Sequence, residues 1–331
     1  MSAGLKAMIV GAGAIGSWLA AVLARGGADV SIVARGATRD ALQTDGLTLL
    51  ESGRSSNWRL PVSHDAAALP RPDLVLFSVK THAFGEAVRT AQPALTHNPA
   101  IMTAMNGLPW WFLDGFDGPL RGARLESVDP GGSVAAQLGA SAAIGAVVHA
   151  STAMQRPGTV QAVKIDRLIV GDAAAQTSAL TQAFSACIAA GGVACPVTPD
   201  IRQEIWAKLA GNSNMNPLSA LTRLSATPLL DDPKLLDLVR AMMSEFEAIG
   251  RRLGFTNQMP PEDRIAVTRR LGDFRTSMLA DANAGRRLEI EGLLGSVVEI
   301  AQRLDEPAPV SQIVYALAAG LDLAARVGGR G

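Results

Sequence analysis

The side chains with the most chemical content are Lys208, Asn212 and Asn216, spaced four apart in Trp206-Ala-Lys-Leu-Ala-Gly-Asn-Ser-Asn-Met-Asn-Pro217. At 3.6 residues per turn, positions i, i+4 and i+8 stack along one helix face. One ammonium and two carboxamides in a row can donate a proton and hydrogen-bond several oxygens. The same row is compatible with a plain solvated face, although such faces more often alternate Glu with Lys. Pro217 removes a backbone donor and crowds the preceding turn, so the helix is expected to kink or end beside the row.

A second constellation lies near the amino terminus. Gly11-Ala12-Gly13-Ala14-Ile15-Gly16 follows an apolar strand-like run and opens a helical one. In that context the first glycine permits a tight turn, the second lets backbone approach a pyrophosphate, and the third allows close helix–strand packing. The helix start then offers free N–H groups and a favourable dipole to phosphate. A purely structural glycine turn is the plainer alternative. The second strand ends in Val33-Ala-Arg35, where an NAD-binding chain would usually carry Asp or Glu for the ribose diol. Arg35 instead suits a 2′-phosphate by charge-assisted bonds, with Arg39 one turn later, so NADP(H) is the expected cofactor. Lys80 and Asn106-Gly107 sit at or just after the carboxyl ends of further strands, where ligands bind in parallel sheets. Ordinary surface charges would explain Arg35 and Lys80 equally simply.

The elements that must hold these groups can be read from periodicity. Ala7–Val10, Asp29–Ala34, Asp73–Val79 and Ala100–Ala104 read as buried strands, with helices at Ile15–Arg25 and Phe84–Ala91 between them. Strands alternating with helices imply a parallel sheet of βαβ units. Gly46–Glu51 and Asn57–Val62 look like an inserted hairpin. After the Gly/Pro-rich Asp114–Gly132, closely spaced strands at Ala143–Ser151, Thr159–Ile165 and Arg167–Val170 indicate an antiparallel extension turned by Arg156-Pro-Gly158. A helix at Thr177–Ala190 and a last strand at Val193–Val197 follow. Beyond Pro199 the chain reads as helices at about Asp200–Leu221, Pro233–Leu253, Glu262–Asp273, Gly285–Leu304 and Pro309–Ala325. The expected fold class is an α/β Rossmann-type amino-terminal domain, residues 1–198, followed by an all-α domain, residues 199–331.

Composition narrows the function classes. The chain has 331 residues, 48% hydrophobic, with 30 basic and 30 acidic residues and therefore no net charge. That balance gives no electrostatic footprint for nucleic acid or an anionic membrane. His64, His82, His97 and His149 are scattered without metal-ligand spacing, so no metal site is expected. Cys187 and Cys195 form no CxxC pair and read as buried thiols of a reducing compartment. The start Met-Ser-Ala-Gly-Leu-Lys lacks the features of a secretory signal, and no stretch of spanning length is free of Gly, Pro or charge. The expectation is a cytoplasmic protein.

Taken in order, these motifs resemble the ketopantoate reductase (2-dehydropantoate 2-reductase) family. The matches are Gly11–Gly16, Arg35, Val79-Lys80, Asn106-Gly107, Trp206-Ala-Lys-Leu…Asn212…Asn216-Pro-Leu-Ser-Ala-Leu-Thr222, Ser277-Met-Leu-Ala-Asp281 and Glu289-Ile-Glu-Gly292. The resemblance implies NADPH-dependent reduction of a 2-keto acid, most naturally 2-dehydropantoate to pantoate in pantothenate and coenzyme A synthesis. Cofactor would lie on the first domain and substrate in the cleft between domains. Lys208 would be the general acid, Glu289 the acid orienting the reacting hydroxyl, and Lys80 and Asn106 would line nicotinamide and substrate. Asn212 and Asn216 would recognise the substrate's hydroxyl end, Ser277 its carboxylate, and Asp281 would give support. The partner implied is a small 2-keto acid, without nucleic acid or membrane, and a homodimer is left open. Two features depart from the family pattern: Met105, where a polar residue is common, and the bulky Leu108-Pro-Trp-Trp-Phe112. Trp110 and Trp111 either reshape the acyl pocket or anchor packing beneath Val128–Gly132. A paralogue for another bulky 2-keto or 2-hydroxy acid, or a non-catalytic NADP(H) sensor, remain the alternatives. A sensor would have no need of both Lys208 and Glu289.

Overall fold

The computed structural model describes residues 4–139 and 143–328, and the opening residues 1–3 lie outside it. The chain divides into two compact units, one of residues up to Met105 plus Ser133–Glu204, the other of Asn106–Gly132 plus Ile205 onward.

Among the described residues the first unit holds nine strands: β1 (Lys6–Val10), β2 (Asp29–Val33), β3 (Leu47–Glu51), β4 (Arg54–Trp58), β5 (Val62–Ser63), β6 (Leu74–Phe77), β7 (Ala100–Thr103), β8 (Ala143–Arg156) and β9 (Thr159–Asp172). They form one sheet in the order β4-β3-β9-β8-β7-β6-β1-β2-β5. From β5 through β8 every neighbour is parallel, as the alternating pattern requires. The short parallel strands are almost wholly apolar because both their faces are covered. Helices α1 (Ala14–Arg25), α2 (Gly36–Asp45), α3 (Phe84–Leu95), α4 (Ser133–Leu138) and α5 (Ala179–Ala190) complete the unit. β3 follows β2 in sequence yet pairs with β9, toward the opposite end of the strand order, so the sheet curls. α1 packs on β2, β3, β8 and β9, and its run Gly16–Leu23 is buried on every side. A helix apolar all round needs such an enclosure.

Two expectations about the strands are corrected here. The two strands expected at Thr159–Ile165 and Arg167–Val170 are one strand, β9, paired antiparallel with β8. Asp166 is the extra residue of a bulge, since Arg167 opposes His149 and Ile165 opposes Ala150. Val193–Val197 forms only isolated bridges, Arg167 to Ala194 and Val170 to Val197. Pro196 has no N–H for a ladder, though its carbonyl accepts from Val170.

The second unit is built on α6 (Ile201–Thr222), α7 (Ala226–Asp231), α8 (Pro233–Leu253), α9 (Pro261–Arg270), α10 (Ser277–Asn283), α11 (Ser296–Arg303) and α12 (Pro309–Gly328). α8 starts at a proline, with the Asp232 carboxylate accepting from the Lys234 and Leu235 N–H groups. Trp206 stacks at 4.4 Å on Phe246 and at 5.1 Å on Phe255, with Phe112 at 6.2 Å. That aromatic group binds Asn106–Gly132 into the helical unit, whereas a single boundary near Pro199 would leave the segment with the sheet. α6 runs through Pro217 to Thr222, in keeping with the helix expected at about Asp200–Leu221. The expected helix Gly285–Leu304 begins only at Ile290, passes through a π-helical turn at Glu291–Gly295 and continues as α11. Asp322 of α12 takes the Leu288 N–H at 2.6 Å, holding the non-helical approach in place. α12 is long and apolar enough to cross a membrane by composition, but it carries Asp322 in that buried structural role, paired with Arg326 at 3.1 Å. Cys187 and Cys195 are buried free thiols, and burial pushes Cys195 up to about 12.

Candidate functional site

In the first unit, β1 ends at Val10 and the chain turns through Gly11 at φ 105° into α1. A Cβ on Gly11 would lie 2.5 Å from the Ser78 carbonyl oxygen, and one on Gly16 would lie 2.0 Å from the Gly11 oxygen. Both positions therefore require glycine. Gly13 is different: it is exposed and nothing stands within 4 Å of where its Cβ would be. Gly13 caps α1 in extended conformation with no side-chain cap, and no acid occupies the first turn. The leading N–H groups thus face an open approach suited to phosphate.

Arg35 stands exposed at the start of α2 and pairs with Glu86 of α3. The Glu86 carboxylate raises the guanidinium pKa and is itself held below the usual carboxylate range. Sequence reasoning missed Glu86, which is 51 residues away in the chain and brought over by the sheet. Arg39 pairs with Asp40 and lies 3.5 Å from His64 Nδ1. Lys80 follows β6 and caps a short 3-10 turn at Thr81–Ala83.

In the second unit, α6 carries Lys208, Asn212 and Asn216 on one face. Lys208 keeps intermediate exposure, yet it is enclosed deeply enough that desolvation lowers its ammonium to about 8, against the opposing pull of the Glu289 charge. Glu289 is only 7% exposed, a buried carboxylate. Asn212 Nδ2 points to Asn106 Oδ1 at 3.5 Å, the outer limit of a hydrogen bond. Asn216 is 5% exposed, and among the described residues its carboxamide has no hydrogen-bond partner. Ser277 opens α10, exposed, with no side-chain hydrogen bond among the described residues. Asp281 is buried and pairs with Arg286 at 2.9 Å, a structural contact.

Asn106 and Glu289 are held to one another's neighbourhood by backbone. Gly107 has φ 85°, and a Cβ there would meet the Gly292 carbonyl oxygen at 2.2 Å. Gly292 lies in the π-helical turn, where i→i+5 bonding disturbs the regular ladder. The buried Ser296 hydroxyl donates to the Gly292 and Leu293 carbonyls at 3.2 and 2.8 Å. Trp110 and Trp111 are 7% and 0% exposed, and Trp110 lines a small gap with Leu125, Val128 and Asp129. Trp110 thus packs against that segment, and Trp111 is fully buried. Among the described residues no group of His, Cys, Asp and Glu could hold a metal ion.

An enclosed ammonium beside a buried carboxylate is equipment for proton donation, and the glycine-bordered helix start suits a dinucleotide. Such a chain falls in the class of Rossmann-type oxidoreductases. It belongs to the ketopantoate reductase family: the model Ketopantoate reductase PanE/ApbA matches residues 7–109 and its C-terminal counterpart residues 200–322. A 2-dehydropantoate 2-reductase of Mesorhizobium japonicum is 38% identical over 95% of this chain and 96% of its own. A solved structure from Ralstonia solanacearum MolK2, put forward as a ketopantoate reductase, superposes with TM-score 0.92 at 37% identity, covering 98% and 99% of the two chains. A D-mandelate dehydrogenase solved with NADH and anilino(oxo)acetate has TM-score 0.81 at 16% identity, covering 97% of this chain and all of its own, a likeness of fold alone.

Proposed function

We propose that this chain reduces 2-dehydropantoate to pantoate with NADPH, in the cytoplasm, as the pantoate-forming step of pantothenate and coenzyme A synthesis. The observation that carries the reading is the enclosed Lys208, acted on by the charge of buried Glu289, on the helix face it shares with Asn212 and Asn216. NADPH, when bound, supplies the hydride for the ketone carbon. Its pyrophosphate fits the helix start at Gly11, Ala12, Gly13, Ala14, Ile15 and Gly16, with Arg35 toward the 2′-phosphate and Lys80 toward the nicotinamide side. Negative charge develops on the ketone oxygen, and the Lys208 ammonium stabilises it and delivers the proton. Glu289 keeps that ammonium charged and orients the hydroxyl it forms. Asn106, Asn212 and the unpaired carboxamide of Asn216 hydrogen-bond the substrate, and Ser277 contributes at its carboxylate. The 38% identity to a named 2-dehydropantoate 2-reductase supports the substrate assignment.

The test is NADPH and NADH oxidation across a panel of 2-keto acids. 2-Dehydropantoate with NADPH should give the highest kcat/KM. Faster turnover of a bulky aryl or branched 2-keto acid would move the chain to a different substrate while leaving the reaction type intact.

A further inference from the structure

We propose that Arg264 is a substrate-binding residue, gripping the carboxylate of the 2-keto acid beside Lys208 and Asn212 on α6. The proposal rests on the 2-keto acid reading above. α9 lays the Arg264 side chain against Gly211, where a Cβ would stand 2.8 Å from Nη2 and 3.5 Å from Nε. Gly211 lies three residues after Lys208 and directly before Asn212, so the guanidinium edge rests on the same stretch of helix surface. Glycine inside a 22-residue helix is unfavourable relative to alanine. Its use here is that the guanidinium can lie flush with the helix.

The guanidinium has no hydrogen-bond or ion-pair partner among the described residues. Arg269 on the same helix bonds Asp231, and Arg240 of α8 takes Glu262. Burial lowers the Arg264 pKa with no acid opposing the shift. A half-enclosed cation in that condition is stabilised by an incoming anion, and its planar fork matches a carboxylate at two points. The geometry of the ligand selects which anion. In a 2-keto acid the carboxylate is bonded directly to the ketone carbon. A ketone presented to Lys208 therefore places its carboxylate within about one turn along α6, the span from Lys208 to Gly211. Ser277, with a single hydroxyl on an exposed helix start, leaves most of that charge to be met elsewhere.

The experiment compares 2-dehydropantoate with its primary amide, which keeps the ketone and hydroxyl but has no charge. KM and kcat are measured for the parental protein, Arg264→Gln, Arg264→Lys and Gly211→Ala. Arg264→Gln should raise KM for the acid by about 10- to 100-fold, the scale of a lost charged hydrogen bond. KM for the amide should stay within about twofold. Arg264→Lys should recover part of the loss, because a point charge replaces the fork. Gly211→Ala should keep its unfolding temperature, since alanine favours helix, while the displaced guanidinium raises KM for the acid. Equal losses on acid and amide, or an unchanged acid KM in Arg264→Gln, would overturn the proposal. A parental protein that reduces no 2-keto acid overturns the underlying activity as well, an outcome visible before any variant is made.

Discussion

At the scale of single residues, the proposed chemistry turns on Lys208. Its lowered pKa, about 8, means the ammonium loses its proton earlier than an ordinary lysine, and only the charged form can donate. Reduction should therefore hold below pH about 8 and fall roughly tenfold per unit above it, with oxidation of pantoate showing the opposite slope. A reduction rate flat to pH 10 would exclude Lys208 as the donor. Lys208→Ala should lower kcat by about two orders of magnitude or more with NADPH affinity unchanged. The double variant with Glu289→Ala should lose less than the product of the single losses if the two act as a unit. Asn216→Ala should raise KM more for 2-dehydropantoate than for a keto acid lacking the terminal hydroxyl, by the order of 1 kcal/mol. Equal losses on the two would make this asparagine structural.

At the scale of elements, the contact between Gly107 and the π-helical turn links Asn106 to Glu289. Gly107→Ala must escape both φ 85° and a 2.2 Å clash with the Gly292 oxygen, so neither backbone can stay where it is. We expect a lower melting temperature, by more than about 1 kcal/mol of stability, and a larger fall in turnover than in cofactor binding. The pairing of Arg35 with Glu86 joins the starts of α2 and α3 on the surface, where ion pairs contribute little. A 2′-phosphate can displace Glu86, so the preference for NADPH over NADH should survive that pairing, sharpen in Glu86→Gln and vanish in Arg35→Asp. Titrations of both cofactors against the three forms check this, and equal parental affinities would defeat it.

At the scale of the whole molecule, ligand binding and folding are linked. NADPH at a hundredfold excess over its Kd should stabilise the folded chain by about 2.7 kcal/mol, and NADH at the same concentration by less. A melting curve unmoved by NADPH would argue against the dinucleotide site altogether.

Much was legible in the sequence because it is local. Gly11–Gly16 lies between β1 and α1, and spacing alone puts Lys208, Asn212 and Asn216 on one face, since residues of a single helix share its geometry. The βαβ alternation and its parallel sheet follow from the same short-range patterns. What the tertiary structure decided depends on distant partners. Glu289 reads as a helix-face residue until Asp322, 34 positions past Leu288, holds the approach to it out of the helix. Asn106–Gly132 reads as an appendage of the sheet until Phe112 joins the Trp206 rings. Arg35 meets Glu86, and Arg264 meets Gly211, across separations no periodicity reports. Burial and desolvation are sums over everything nearby in space, so the lowered Lys208 pKa became visible only when the chain was folded.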